Sequence, residues 1–123
     1  MPRPERPIHP ADGPVQRFAL ELRELRRRAG NPPYRLLAER ARFSRTVLAD
    51  AARGHRQPTL PVTLAYAKAC GANPAVWARR WRALTAELAQ ELAASASTLA
   101  ELRRGVDAFI VDFFARRRSS AGE

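Results

Sequence analysis

The stretch PYRLLAERARFSRTVLADAARG, from Pro33 to Gly54, constrains this chain more than any other. It reads as two short helices joined by a tight corner. The first predicted helix runs from about Pro33 to Ala41, and the corner is Arg42–Phe43. The second opens at Ser44 and ends near Arg53. Ser44 suits the cap of that helix, because its hydroxyl can accept from a free amide of the first turn. Gly54 suits the left-handed position that follows a helix. Val47, Leu48 and Ala51 fall at i, i+1 and i+4 of the second helix, one apolar stripe at about 100° per residue. Arg45, Thr46, Ala49, Asp50 and Arg53 point the other way. One side is expected to be buried, and the other, short and Arg-bearing, to face outward. A helix of that width fits the major groove of DNA, where its first turn reaches base edges.

The rest of the chain supplies partners for this pair. Phe18, Leu22, Leu25 and Ala29 recur at helical spacing and predict a helix from about Val15 to Ala29, closed by Gly30. Arg26, Arg27 and Arg28 end it, where cations suit the helix dipole. They read equally as a solvated face or as phosphate contacts. Thr59 caps a predicted helix from Leu60 to Cys70, with Cys70 as a small buried hydrophobe. Asn73 caps the next, with Pro74 in its first turn and Trp77, Trp81, Leu84, Leu88 and Leu92 along one face. Trp77 and Trp81 are expected to lock that helix onto the first four. Ser95-Ala96-Ser97-Thr98 reads as a weak break. Leu99, Leu102, Val106, Phe109, Ile110 and Phe113 follow as a strong apolar stripe, ending in Arg116, Arg117 and Arg118. Gly105 lowers the helical propensity there by about 1 kcal/mol against Ala. This segment is a long helix or an αα-hairpin, and it carries more apolar surface than a free helix leaves in water.

Charge points to the partner. The formal net charge is +10 and twenty-one of the 22 basic residues are Arg, part of which a GC-rich genome would produce by composition alone. The placement is uneven, however. Residues 1–58 hold thirteen basic and six acidic side chains, net +7, and residues 59–123 hold nine and six, net +3. An anionic partner follows from that field. A single cysteine excludes an intrachain disulfide and a thiolate metal cluster. His55 has no second ligand spaced for a metal, neither a phosphate-binding loop nor a Ser/His/Asp set is present, and no cofactor or enzymatic activity is expected. No apolar run of about 18 residues or signal-peptide core occurs, so a soluble cytoplasmic protein associated with the nucleoid, with no membrane partner, is expected. Asp107 and Asp112 count against a membrane-surface role for the last helix.

From Leu22 to Gly71 the chain resembles the Xre/Cro type of helix-turn-helix protein found among phage and bacterial repressors. The resemblance rests on LRELRRRAG followed by YRLLAERARFSRTVLADAARGHRQPTLPVTLAYAKACG. The N-P-P-Y-R and N-P-x-x-W-x-x-R-W surroundings resemble an actinobacterial subgroup. The likeness covers about residues 15–82. It implies an all-α, five-helix, lambda-repressor-like domain that binds double-stranded DNA. It implies a phosphate contact from Ser44 and base contacts from Arg45, Thr46 and Asp50. Phosphate anchors are implied at Tyr34 and Arg35 and at Arg53, His55 and Arg56. Two positions depart from the family pattern. The corner holds Arg42 in place of the usual Gly, and Ala52 stands where a glutamate often pairs with an arginine of the first helix. Asp50 is unusual in a groove, and its pairing with Arg53 or Arg45 is the favoured reading over a cytosine contact.

The expected organisation is therefore a disordered, Pro-rich basic tail over 1–14, whose Arg3 and Arg6 read as solvated or as a minor-groove arm. A helix-turn-helix domain follows over 15–82, then a C-terminal amphipathic helix or hairpin over 83–118 and a flexible end over 119–123. The expected function is a sequence-specific transcriptional regulator acting as a homodimer through residues 84–114. The alternative is an adaptor or antitoxin-like protein that grips another protein with its apolar C-terminal helices.

Overall fold

The computed structural model describes residues 5–121, the side chains of 119–121 excepted. Among the described residues all regular structure is helical. A 3-10 turn at Pro10–Asp12 precedes α1 (Pro14–Arg28), α2 (Tyr34–Ala41), α3 (Arg45–Ala51), α4 (Leu60–Ala69) and α5 (Pro74–Ala121). Two compact units result, Met1–Glu87 and Leu88–Glu123.

In the first unit, local chemistry sets the helix ends. Pro14 and Pro61 stand in first turns, where a missing amide costs nothing. The Thr59 hydroxyl accepts from Val62 N at 3.4 Å, and Asn73 Oδ1 accepts from Ala75 N at 2.9 Å. Gly30 and Gly71 take positive φ past the ends of α1 and α4. Phe18 and Leu22 of α1, Leu37 of α2, Leu48 and Ala51 of α3, and Val62, Tyr66 and Ala67 of α4 form the core, with Trp77 and Leu84 from the first part of α5. Trp77 meets Phe18 edge-on, with centroids 5.9 Å apart, and Trp81 Nε1 donates to the Pro58 carbonyl at 2.8 Å. Both tryptophans thus tie α5 to what precedes it. Thr63 is fully buried but satisfied, its hydroxyl donating to the Thr59 carbonyl at 2.9 Å. Ala29, expected in the apolar stripe of α1, is exposed instead, because α1 ends one residue before it.

The second unit is the remainder of α5. The predicted break at Ser95–Thr98 is not one, and no hairpin forms there: the helix runs through it, and Thr98 Oγ1 donates to the Ala94 carbonyl at 3.0 Å. Surrounding alanines carry the helix where serine and threonine alone would favour a cap. Leu92, Leu99, Leu102, Val106 and Phe109 of this unit are each more than half exposed.

The leader differs from a free tail. Glu5 and Ile8 are half-buried, and the 3-10 turn leads directly into α1. Arg3 lies outside the described residues, and the Arg6 carbonyl accepts from Arg23 NH1 at 2.6 Å.

Candidate nucleic-acid interface

The corner between α2 and α3 is made by Arg42 at φ 59°, ψ 28°, with its amide donating to the Ala38 carbonyl at 3.0 Å. The left-handed corner is kept although the glycine that would relieve it is absent. For a side-chain-bearing residue that backbone costs on the order of 1 kcal/mol. Ser44 then turns the chain into α3, its Oγ accepting from Val47 N at 3.1 Å. A hydroxyl that accepts one bond still has its own proton to donate, so the cap can also hold a phosphate oxygen.

From that start α3 presents Arg45 and Thr46 to solvent, while Leu48 and Ala51 are buried on its inner side. Val47, expected inward, is 38% exposed. It lies one position ahead of Leu48, about 100° round the helix, and α3 is gripped only over the arc centred on Leu48 and Ala51. An apolar side chain therefore stands beside Arg45 and Thr46 on the open flank, where it can meet a thymine methyl group. Periodicity alone assigned it to the core.

Asp50 sits one turn along, and its Oδ1 lies 2.6 Å from Arg53 NH1. This is the pairing favoured from sequence, and it holds the Arg53 guanidinium toward the same flank. His55 and Arg56 follow, both exposed. Their loop is anchored at Gly54, whose φ is +81° and whose carbonyl accepts from Gln16 Nε2 at 2.6 Å. A Cβ at Gly54 would stand 3.2 Å from Ile8 Cδ1, so the leader itself closes over the loop. Arg35 is exposed in the first turn of α2.

Tyr34 behaves differently from the rest. Its hydroxyl lies 3.0 Å from Glu5 Oε2 and 3.4 Å from the Tyr66 hydroxyl, and its ring is covered by the Arg26 guanidinium at 4.5 Å. Burial raises the pKa of Tyr34, and more strongly that of Tyr66, so both phenols are held protonated. The hydroxyl expected to anchor a phosphate is engaged inside the domain.

Glu5 is the centre of that arrangement and is invisible to motif reading. Its carboxylate lies 2.8 Å from Arg26 NH2 and 3.4 Å from Arg23 Nε. Arg23 Nε also donates to the Ala52 carbonyl at 2.7 Å. The tie that Ala52 was expected to forgo is thus replaced: the backbone of residue 52 accepts, and the leader supplies the carboxylate. Arg26 turns inward, with NH1 on the Pro32 carbonyl at 2.9 Å. Arg27 and Arg28 stay exposed and pair with Glu24, whose carboxyl their hydrogen bonds pull down to about 2. The three arginines that end α1 therefore divide, one structural and two solvated.

Among the described residues no group of His, Cys, Asp or Glu could hold a metal ion, and no helix is long and apolar enough to cross a membrane. Cys70 is half-buried, with its thiol shifted upward by burial, the reverse of what a nucleophile needs. The sequence profile of a family described as a helix-turn-helix domain matches residues 17–79. No curated protein and no solved structure matches the chain.

Proposed function

Because the chain belongs to this helix-turn-helix domain family, whose members bind DNA and are not typically enzymes, we propose that it is a sequence-specific transcriptional regulator reading the major groove of double-stranded DNA with α3. One observation carries the reading. Ser44, Arg45 and Thr46 open a helix on its exposed side, while the opposite side is anchored by Leu48 and Ala51. In this reading Arg45 donates two bonds to a guanine, worth about 1–3 kcal/mol of discrimination. Thr46 and Val47 meet neighbouring base edges. Asp50 positions Arg53 rather than reading a base. Ser44, Arg35, Arg53, His55 and Arg56 hold phosphates and set register. Tyr34 shapes the start of α2 from within. Two copies act together through residues 84–114, so that half-sites about one DNA turn apart are read in one event, and the protein works at the nucleoid.

The test is binding selection from randomised duplexes, with wild type and Arg45→Ala side by side. A defined motif for wild type, with one position relaxed in the variant, is the expected result. An unchanged preference in Arg45→Ala removes that residue's role, and equal competition by random DNA makes the binding non-specific. The exposed apolar residues between Leu92 and Phe114 support a second reading, an adaptor for another protein. A stoichiometric foreign partner on purification from the native host, with no DNA shift at moderate salt, would favour it.

A further inference from the structure

Most of the apolar residues of the second unit follow a rule finer than amphipathicity, with Val111 and Phe114, 69% and 53% exposed, lying off it. Leu92, Ser95, Leu99, Leu102, Val106, Phe109 and Phe113 succeed one another by steps of three and four in strict alternation, and Leu88 precedes them by four. That is a period of 3.5 residues, the repeat of a left-handed coiled coil, with Leu92, Leu99, Val106 and Phe113 at a and Leu88, Ser95, Leu102 and Phe109 at d. Leu92, Leu99, Leu102, Val106, Phe109 and Phe113 are between 45% and 73% exposed within this chain. A stripe this long and this apolar marks an interface.

The flanking positions choose the occupant and its direction. In a parallel, in-register pair, each g residue faces the e residue five positions on in the other helix. Asp112 (g) then faces Arg117 (e) of the second copy, opposite charges, and it does so twice by symmetry. Gly105 (g) faces Ile110 (e) of the second copy. Gly105 has open space where a side chain would be, and it floors a shallow depression lined by Leu102, Val106 and Phe109. A glycine is costly inside a helix, and here it leaves room for the largest apolar side chain at an e position. The antiparallel pair with the same overlap sets Asp112 against Glu91 of the second copy, acid on acid. Two d layers are polar, Ser95 and, at the end of the seam, Arg116, whose Nε lies 3.2 Å from Asp112 Oδ2 of its own chain. We propose that residues 88–117 form a parallel, two-stranded coiled coil with a second copy of this chain, its register set by the Asp112–Arg117 and Gly105–Ile110 complements. This deepens the pairing that the functional reading assumes and rests on it.

Sedimentation equilibrium of the full chain, without DNA, reads the assembly. Wild type is expected to be a dimer. Asp112→Arg alone and Arg117→Asp alone are each expected to raise the dissociation constant about tenfold. The double exchange is expected to restore it, which mere loss of helix stability would not do. In a Cys70→Ser background, Ser95→Cys is expected to form a disulfide-linked dimer on mild oxidation, because only parallel, in-register helices bring residue 95 against itself. A monomer, a tetramer, a dimer without the 95–95 cross-link, or a double exchange no better than the single ones each overturns the proposal. None of these readouts involves DNA, so a failure here is distinct from a failure of groove reading by α3.

Discussion

Glu5 shows how one side chain can govern a surface it does not belong to. Its carboxylate joins Arg23, Arg26 and Tyr34, and through them the end of α3 and the start of α2. Glu5→Gln keeps the volume but leaves two largely buried guanidiniums without their counter-charge. A loss of about 1–3 kcal/mol is expected, read as a lower urea midpoint with an unchanged denaturant slope. Arg42→Gly should act in the opposite sense. Relief of the left-handed backbone is expected to add about 1 kcal/mol, measured in the same way. Arg56 sits on an open loop, so Arg56→Ala is expected to weaken binding to all duplexes alike and to lower the log-affinity salt slope by about one. The corner at Arg42 was legible in the sequence because its position between two short helices dictates the backbone. Glu5 was not, because a single carboxylate in a proline-rich leader has no period, and its partners are far along the chain.

α3 has only seven residues, well short of what holds a helix together in water by itself. Its survival depends on its cap and its buried flank. Ser44→Ala is expected to cost about 1 kcal/mol, and Leu48→Ala about 2–5 kcal/mol, because Leu48 is fully buried among α2 and α4. If thermal denaturation places the two variants in the reverse order, the burial argument fails. The cap and the buried pair were readable from spacing. Val47 was not, because an i, i+1, i+4 pattern does not say how wide an arc the neighbours cover. The same limit applies to α5: Ser95–Thr98 looks like an interruption when read residue by residue, yet Thr98 bonds back to Ala94 and the helix continues.

Both tyrosines of the chain lie in one internal cluster, and that gives the whole molecule a pH signature. Burial is the leading cause of both upward shifts, and the neutral phenols are the folded forms. The stability they contribute is complete below the unfolded value of about 10 and is lost as pH rises toward the folded ones. Tyrosinate absorbance is therefore expected to stay absent just above pH 10 and to appear together with loss of helical circular dichroism. An ordinary titration in the folded state would contradict the packing of Tyr34 on Tyr66. On the acid side Glu24 adds a contribution that is present above about 4.5 and lost as pH falls through about 2. The exposed basic side chains around α3, Arg35, Arg45, Arg53 and Arg56, have a further consequence. Acetyltransferases act on amines, of which Lys68 offers the only side-chain example. Acetylation therefore does not reach those arginines, and ionic strength, competitors for the groove and the number of copies that meet remain as levers on that surface.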